Sequence, residues 1–364
     1  MAGDQHGPAD GAESPAAGPP PQAVVGRLVF GRMASEVLGV ATRLEVFDRI
    51  GAGDVTADGL ARTLSTHPRA TLRLLRALAG LQLLAEPAPG VFRTTGAGDL
   101  LRSDSPGSML AMASMFTEPM MVRAWELLGE GIRTGETTFR TVFGTDFFGH
   151  LKEHPELSAV FNAAMSQATR STAEAAPHHF DFGRFTTVVD IGGGDGTLLS
   201  GILRAHPGLR GILYDTAEGL AQAAGRFAAE GLTERVTLRT GDFFASAPDG
   251  GDLYLLKSII HDWNDEQCAT ILRHIREVVP DHGALLIVEP VLPPTVPADQ
   301  YSGVYLSDLN MLVNVGGRER TEDDFAALCA ASGFTLRAVT PLPAPNIFRL
   351  IEATPGTSGS RPPS

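Results

Sequence analysis

The feature that most constrains the fold of this chain is an apolar run that breaks into glycines. Residues 188–191 read Val-Val-Asp-Ile, and Gly192, Gly194 and Gly196 follow at alternate positions before an apolar stretch at residues 197–203. A β-branched run, glycines and a renewed apolar pattern predict a buried strand, a tight turn and the start of a helix. Such turns let a nucleotide-like ligand approach the backbone, although one glycine triplet alone is weak evidence.

Two more predicted strands end in acids, in the order that a ligand-binding α/β domain requires. The strand at residues 211–214 ends in Asp215, at about the 20-residue separation where such folds place an acid on ribose hydroxyls. The strand at residues 236–239 leads into Asp242 and Phe243, which offer an acceptor for an adenine amino group and a ring for stacking. Three features in order favour a Rossmann-like domain over a turn with incidental acids.

In these segments the chain resembles S-adenosylmethionine-dependent methyltransferases, whose glycine turn and two following acids contact the cofactor. The resemblance implies S-adenosyl-L-methionine as the cofactor. It also implies a contact from the lysine that ends the next predicted strand, for which a surface lysine is the alternative. The residues assigned to the cofactor are Gly192, Gly194, Asp215, Asp242, Phe243 and Lys257.

The composition limits the partners. At 364 residues and 43% hydrophobic content, the chain is long enough for two domains with full cores. A net charge of -13 argues against nonspecific binding to nucleic acid or anionic membranes. No apolar run approaches the ~20 residues that span a bilayer, and residues 1–22 lack the apolar core of a signal peptide. We therefore expect a cytoplasmic protein.

The pattern along the chain predicts five segments. Residues 1–22 and 354–364 are expected to be disordered tails, because neither buries enough apolar surface to offset the entropy of ordering. Residues 23–105 are predicted to be an all-α domain with a small hairpin, and residues 106–180 a helical linker and pocket region. Residues 181–353 form the predicted Rossmann-like domain, which makes the fold class α/β.

A winged-helix pattern lies in the N-terminal domain. Thr56 can cap a helix over residues 57–64, and Pro68 can begin a second helix. Residues 82–86 and 91–94 then predict a hairpin. Because this module reads DNA in many regulators, a ligand-sensing transcription regulator is one alternative function. The acidic chain and the apolar residues among the arginines of the second helix weigh against it.

The candidate chemistry lies in residues 252–263. An apolar strand there delivers Lys257 and then His261 to the carboxyl edge of the sheet, where open α/β folds bind ligands. A phenol, with a pKa near 10, is mostly neutral in cells, and an imidazole base assists its reaction. His261 is therefore the candidate general base, with a histidine that caps the following helix as the alternative. Asp262 is left open between a catalytic and a structural role.

From about residue 24 to 352 the chain resembles small-molecule O-methyltransferases of the plant caffeate type. The resemblance is carried by the His-Asp-Trp sequence at residues 261–263, by Glu289 after a predicted strand, and by Glu319 in Gly-Gly-Arg-Glu-Arg-Thr. It implies that Glu289 and Glu319 orient His261 and that no metal is needed. It also implies that the winged helix serves dimerisation, and so predicts a homodimer.

The same resemblance suggests where the acceptor binds. Residues 161–165 match a family helix, Phe-Asn-x-x-Met, whose Phe and Met touch the acceptor ring, and the segment at residues 311–314 lines the pocket in relatives. A stripe of Met and Phe is more often core than binding wall, and helix capping is an alternative for the asparagine. The residues assigned to the substrate are Phe148, Phe161, Met165, Met311 and Asn314, with Met115 as a weaker candidate.

These observations predict an S-adenosylmethionine-dependent O-methyltransferase. Its expected substrate is a hydroxyl of an aromatic or quinone-like small molecule in bacterial secondary metabolism, such as antibiotic biosynthesis. The abundance of alanine, glycine and arginine is typical of GC-rich bacterial genomes. The nearest alternative is a cofactor-binding enzyme of the same fold with non-methylating chemistry, and the presence of His261 argues against it. The departure at Thr216-Ala217, where relatives commonly have Leu-Pro, leaves the acceptor's identity open.

Overall fold

The computed structural model describes residues 20–297, 303–344 and 346–356. The chain divides into two compact units, Met1–Asp99 and Leu100–Ser364. The division therefore falls a few residues before the predicted domain boundary at residue 105, and the predicted linker and Rossmann-like segments belong to one unit. No helix in the described ranges is long and apolar enough to cross a membrane.

The two predicted tails fall mostly outside the described residues, which exclude residues 1–19 and 357–364. Within the described part, Pro21 begins the first helix, a position that proline favours because it has no N–H to satisfy. Thr354 and Pro355 belong to the last strand, where Thr354 pairs with Thr335. The predicted tail limits are wrong for these few residues, because strand pairing orders a polar end.

The first unit contains the predicted winged-helix pattern. The hydroxyl of Thr56 accepts a hydrogen bond from Gly59 N at 3.1 Å, which confirms it as a helix cap. A small antiparallel sheet has the strand order β1-β3-β2. The elements are α1 (Pro21–Val29), α2 (Gly31–Arg43), α3 (Val46–Ile50), β1 (Val55–Thr56), α4 (Ala57–Thr63), α5 (Pro68–Gly80), β2 (Leu84–Ala88), β3 (Val91–Thr94) and α6 (Gly96–Asp99).

The second unit begins with helices. Their inward faces form a cluster of buried methionine and phenylalanine side chains, among them Met115, Met121, Phe139 and Phe147. The core interpretation of the Met and Phe stripe is therefore correct for these four residues. The helices are α7 (Leu110–Phe116), α8 (Pro119–Arg123), α9 (Leu128–Thr134), α10 (Phe139–Phe143), α11 (Phe147–Glu153) and α12 (Pro155–Ala175).

The rest of the second unit is an α/β domain, which confirms the predicted fold class. Its predicted strands all form, with small differences at their ends. The elements are β4 (Thr187–Ile191), α13 (Thr197–Ala205), β5 (Arg210–Asp215), α14 (Ala223–Ala229), β6 (Val236–Thr240), β7 (Leu253–Lys257), α15 (Asp265–Val278), β8 (Ala284–Leu292), α16 (Gly303–Asn310), β9 (Arg320–Thr321), α17 (Glu322–Ala331), β10 (Phe334–Pro341) and β11 (Phe348–Pro355).

The order of the strands fixes where a ligand can bind. The main sheet has the strand order β10-β11-β8-β7-β4-β5-β6. The five strands from β8 to β6 pair in parallel, whereas β11 pairs antiparallel with both β8 and β10. In chain order, β5 and β6 are added on one side of β4, and β7 and β8 are then added on the other side. In such sheets a crevice opens at the carboxyl ends of the strands where the direction reverses. Here that point lies between β4 and β7.

Candidate active site

The glycine turn after β4 is one wall of this crevice. Gly192 and Gly194 have φ of +67° and +57°, a backbone region that favours glycine. A Cβ on Gly192 would lie 2.4 Å from Ile259 Cδ1, so a side chain there would require Ile259 to move, whereas a Cβ on Gly194 would meet no atom within 4 Å. The turn is thus closed toward the protein at one glycine and open at the next, which suits close approach by a ligand.

Asp215, at the end of β5, contacts the same turn. Its Oδ2 accepts a hydrogen bond from Gly194 N at 2.8 Å, and its Oδ1 accepts one from Thr216 N. Burial raises the pKa of Asp215, and these hydrogen bonds oppose that rise. Because each carboxylate oxygen has two lone pairs, Asp215 keeps acceptor capacity for the hydroxyls of a ribose. The predicted pairing of glycine turn and acid is present.

The third predicted cofactor segment has its carboxylate in a different setting. Asp242 is exposed, and its Oδ1 accepts a hydrogen bond from Phe244 N at 2.8 Å, which stabilises its own turn. The ring of Phe243 packs edge-on against Phe244 and Trp263, with centroids 4.9 and 6.1 Å apart. An aromatic face is therefore present at the carboxyl edge of the sheet, and Trp263 is a member of it that the sequence analysis did not assign.

Lys257 is not the surface lysine offered as an alternative. Its ammonium lies 4.6 Å from the ring centroid of Phe348 on β11, a cation–π contact. Burial lowers the pKa of Lys257 to about 8, and the nearby carboxylates of Glu289 and Asp190 oppose that effect. Lys257 therefore lies among buried ionisable groups at the end of β7.

His261 lies on a short loop after β7 that Glu289 holds in place. Ser258 adopts a φ of +54°, and the next three backbone N–H groups turn toward β8. The N–H groups of Ile259 and Ile260 donate to Glu289 Oε1 at 2.9 Å each, and that of His261 does so at 3.4 Å. Glu289 thus anchors the backbone that carries the histidine.

The histidine ring faces two buried carboxylates. His261 Nδ1 lies 3.2 Å from Glu319 Oε1 and 3.3 Å from Glu289 Oε2. The side chains of Glu289 and Glu319 are 0% and 1% exposed, whereas that of His261 is 15% exposed. Burial by itself lowers the pKa of His261, but the two carboxylates outweigh it and raise the pKa to about 10. The site therefore stabilises an imidazolium strongly.

The alternative role of His261 as a helix cap is wrong. Helix α15 is capped by Asn264, whose side chain accepts from Gln267 N at 2.9 Å in a capping box. Asp262 lies on the outer side of the imidazole, with Oδ1 3.7 Å from His261 Nε2. Burial raises the pKa of Asp262 to about 7, against the opposing charge of the histidine. Asp262 is therefore close to the nitrogen that the two glutamates leave free.

Two residues of α16 that the sequence analysis missed support Glu319. Ser307 Oγ donates to Glu319 Oε1 at 2.9 Å, and Asp308 Oδ1 accepts a hydrogen bond from Glu319 N at 2.8 Å. Both lie more than ten positions before the glutamate, so local spacing carries no signal for the contact. Ser307 thus shares Oε1 with the imidazole, and Asp308 holds the backbone of Glu319.

The His261 cluster also has the composition of a metal site. His261, Glu289 and Glu319 offer ligand atoms that lie within 4.8 Å of one another. One oxygen of each glutamate already accepts hydrogen bonds, since Glu289 Oε1 accepts from backbone N–H groups and Glu319 Oε1 accepts from the imidazole. The second oxygen of each, Glu289 Oε2 and Glu319 Oε2, is buried and makes no hydrogen bond within the described residues. Independence from metal stays a prediction.

The predicted acceptor residues of α11 and α12 lie beside this loop. Phe148 stacks on Trp263 with ring centroids 5.4 Å apart, and it meets Phe161 edge-on at 6.3 Å. Phe148 and Trp263 also line a cavity of about 540 Å³, so their rings border open space. Phe161 and Met165 are partly buried and pack on the helical cluster, whereas Met115 is 2% exposed and belongs to the core.

Met311 and Asn314 lie in a π-helical segment, Met311–Val315, that follows α16. π-Helical segments are rare in proteins, and those that occur are often found at functional sites. Asn314 Nδ2 donates to Asn310 Oδ1 at 2.8 Å, and Trp125 Nε1 donates to the same oxygen at 3.1 Å. Asn314 is buried within the segment, so the helix-capping alternative is wrong. Trp125 is a further residue in contact with this segment that the sequence analysis did not assign.

The arginines that raised the DNA-binding alternative lie on α5. Arg76 forms an ion pair with Glu86 in the hairpin at 3.0 Å, so this guanidinium is neutralised within its own unit. Arg69 and Arg73 are exposed. The first unit therefore shows no continuous cationic face along the described part of this helix.

Comparison with known proteins identifies the family. The family model described as the O-methyltransferase domain matches residues 125–335, and the model described as the O-methyltransferase dimerisation domain matches residues 27–104. The chain is 49% identical to O-demethylpuromycin-O-methyltransferase of Streptomyces alboniger, over 90% of this chain and 88% of that protein. It is 41% identical to phenazine O-methyltransferase PhzM of Lysobacter antibioticus, over 92% and 97% of the two chains.

A solved structure adds ligands to the comparison. The O-methyltransferase NcsB1 from neocarzinostatin biosynthesis, in complex with S-adenosylmethionine and 2-hydroxy-5-methyl naphthoic acid, matches with a TM-score of 0.76 and 31% identity. The match covers 88% of this chain and 96% of that one. The chain described here therefore belongs to the S-adenosylmethionine-dependent small-molecule O-methyltransferases, alongside enzymes of bacterial natural-product biosynthesis.

Proposed function

We propose that this enzyme methylates a hydroxyl group on an aromatic or quinone-like small molecule in antibiotic biosynthesis, with His261 as the general base. The observation that carries the proposal is the buried contact between His261 Nδ1 and Glu319 Oε1. Glu289 Oε2 lies 3.3 Å from the same nitrogen. Because a carboxylate only accepts hydrogen bonds, Nδ1 carries a proton there, and the base must be Nε2. The two glutamates are proposed to orient the ring and to stabilise its charged form.

The two carboxylates favour transfer of a proton to His261. A phenol has a pKa near 10, and the carboxylates raise the pKa of His261 to about 10 after burial has lowered it. A raised pKa increases the driving force for taking the hydroxyl proton, while it also means that the base must first lose its own proton. S-Adenosylmethionine supplies the electrophilic methyl group when it is bound. The role of His261 Nε2 is to remove the hydroxyl proton, and that of Glu319 is to hold the resulting imidazolium.

The proposed cofactor residues are Gly192, Gly194, Asp215, Asp242, Phe243 and Lys257. The support for them is the open side of the glycine turn, the remaining acceptor capacity of the acid after β5, and the aromatic face near the carboxyl edge of the sheet. These groups fit the ribose and adenine of an adenosyl cofactor, which needs hydroxyl acceptors and a stacking partner rather than a phosphate site.

The proposed acceptor residues are Phe148, Phe161, Met165, Met311 and Asn314. Of these residues, Phe148 borders a cavity of about 540 Å³ together with Trp263, which closely follows the histidine, and a flat apolar ring suits an aromatic acceptor. The similar enzymes act on O-demethylpuromycin and phenazines, and NcsB1 holds a naphthoic acid, all of which contain aromatic rings. The acceptor proposed here is accordingly an aromatic hydroxyl, and metal is not required.

We also propose that the enzyme is a homodimer. The first two helices leave a row of large apolar side chains in solvent, including Val25 at 59%, Leu28 at 76% and Met33 at 65% exposure. Patches of this kind mark association surfaces on soluble proteins. They lie within or beside the segment that matches the dimerisation domain.

The test is a methyl-transfer assay on purified protein with phenols, hydroquinones and hydroxynaphthoates, followed by mass spectrometry of the products. We expect a methyl ether from at least one acceptor, and a fall in kcat of about 10²- to 10⁴-fold in His261→Ala. Binding of S-adenosylhomocysteine by calorimetry should be little changed in that variant, which separates the base from the cofactor site. Activity should survive dialysis against EDTA. Full activity in His261→Ala would refute the proposed base.

A further inference from the structure

A single hydroxyl joins the proposed acceptor helix to the proposed cofactor turn. Ser166 Oγ donates to Asp195 Oδ2 at 2.6 Å. Ser166 directly follows Met165 on α12, and Asp195 lies between Gly194 and Gly196 in the turn after β4. The contact joins α12 to the glycine turn, and neither residue has a role in the function proposed above.

Asp195 is held as a charged acceptor. Its side chain is 9% exposed, and Arg226 donates to its Oδ2 at 2.5 Å. The N–H and hydroxyl of Thr197 both donate to its Oδ1. Burial alone raises the pKa of Asp195, but the bonds from Ser166, Thr197 and Arg226 outweigh it and lower the pKa. The serine therefore donates to an ionised group, which gives a stronger hydrogen bond than a neutral acceptor does.

Two further contacts connect helix α12 to its neighbours and, through α13, to this turn. Gln167 Oε1, next to the serine, accepts from Met112 N on α7 at 3.0 Å. Further along, α12 packs so tightly on α13 that a Cβ on Gly201 would lie 2.4 Å from Ala173 O. Since α13 begins directly after the glycine turn, the turn contacts α12 both through the serine and through the helix that it starts.

The turn is connected in the other direction to the proposed ribose acid. Gly194 N, one residue before Asp195, donates to Asp215 Oδ2 at 2.8 Å. A ligand that binds Asp215 therefore acts on its hydrogen bond with Gly194 N. The next residue of the same turn, Asp195, accepts the hydrogen bond from Ser166. The order of contacts is Asp215, Gly194, Asp195 and Ser166.

We propose that Ser166 is a positioning residue that couples the cofactor turn to helix α12, so that filling the cofactor site orders the helix that carries Phe161 and Met165. This rests on the proposed function only for the identity of the acceptor wall. A consequence is positive coupling between the two ligands: a bound cofactor pre-orders the acceptor wall, and a bound acceptor strengthens cofactor binding by the same factor.

The test uses the full chain and needs no acceptor. Amide hydrogen exchange is measured with and without S-adenosylhomocysteine in the wild type, Ser166→Ala, Ser166→Thr and the control Ser158→Ala. Ser158 lies on the same helix and its hydroxyl is outside the Asp195 contacts. In the wild type and in Ser158→Ala we expect the ligand to slow exchange in the glycine turn and in residues 157–170, on the order of tenfold in the helix.

In Ser166→Ala we expect protection of the turn to remain and protection of residues 157–170 to be lost, with the affinity for S-adenosylhomocysteine reduced by less than about threefold. Ser166→Thr, which keeps the hydroxyl, should restore the protection of the helix. Unchanged helix protection in Ser166→Ala, or no protection of the helix in the wild type, would overturn the proposal. A large loss of affinity would also overturn it, since Ser166 would then belong to the cofactor site itself. None of these outcomes depends on the histidine or on the acceptor.

Discussion

Nδ1 of His261 and Oε1 of Glu319 lie 3.2 Å apart, and the oxygen also accepts a hydrogen bond from a serine hydroxyl. Since the carboxylate can only accept, the contact fixes the tautomer of the neutral imidazole and leaves Nε2, which lies 3.7 Å from Asp262 Oδ1, without a proton. Glu289 lies as close to the same nitrogen, but its other oxygen is occupied by the backbone of the histidine loop. Glu319 therefore fixes the tautomer of the imidazole, whereas Glu289 also anchors the backbone of the loop.

The first prediction concerns pH. Glu319 and Glu289 raise the pKa of His261 to about 10 against the lowering effect of burial, so the base is protonated at neutral pH and becomes available as the pH rises. We expect kcat/KM to increase with pH along a limb that ends well above pH 7. In Glu319→Gln one of the carboxylates that raise the pKa is absent, so the limb should move to lower pH while kcat falls by about 10²-fold.

The measurement is a pH–rate profile for both proteins with a common acceptor. Glu322→Gln is a matched control, because it removes an exposed carboxylate three residues further along the chain. It should leave the profile unchanged. If kcat/KM of Glu319→Gln rose with pH over the same range as in the wild type, or over a higher range, Glu319 would not be the partner of the imidazole.

The second prediction concerns Glu289 and stability. Its Oε1 accepts from the N–H groups of Ile259 and Ile260 in a fully buried position. Glu289→Ala leaves these donors unpaired, and each unsatisfied buried group costs roughly 1–3 kcal/mol. Glu289→Gln keeps an acceptor oxygen in place. We expect denaturant unfolding to show a loss of at least about 2 kcal/mol in the alanine variant and a clearly smaller loss in glutamine. Equal losses would show that the backbone contacts are unimportant.

The third prediction compares the contributions of the two acids that we propose to bind the cofactor. Asp215→Ala removes the acceptor of Gly194 N and the proposed partner of the ribose, so the affinity for S-adenosylhomocysteine should fall by at least about tenfold. Asp242→Ala removes an exposed carboxylate proposed to contact adenine, and we expect a smaller loss. Glu218→Ala, an exposed acid nearby, serves as the control. Calorimetry that ranks Asp242 above Asp215 would reverse the proposed assignment.

The fold was predictable from local patterns. The apolar runs at β4, β5, β7 and β8 formed strands because a parallel sheet covered on both faces requires continuous apolar segments. The predicted edge strand β6 also formed, although most of its residues are exposed. The family resemblance gave the correct class of enzyme, whereas the regulator alternative rested on a module that also occurs in this enzyme family. The tail limits could not be placed by composition, because residues 354–355 are ordered only by pairing with another strand.

The supporting parts of the site were not predictable in this way. The contact between Ser166 and Asp195, and that between Ser307 and Glu319, join segments whose approach depends on how helices pack on the sheet. No periodicity in the sequence encodes such a contact. Asp195 did carry one usable signal, since an acid inside a glycine turn must face either a ligand or a partner.

The last prediction tests the apolar surface of the first two helices. Leu28 on α1 is 76% exposed, and it belongs to the row of exposed apolar side chains that we propose to be buried between two copies of the chain. Leu28→Asp places a charge in that interface on both protomers, and the loss of two buried leucines alone is worth about 3 kcal/mol or more. Sedimentation velocity at micromolar concentration should show a dimer for the wild type and mainly monomer for the variant. Gln22→Asp, at the start of the same helix, adds the same charge without removing a large apolar group and should remain dimeric. A monomeric wild type, or an unchanged dimer in Leu28→Asp, would exclude this surface as the interface.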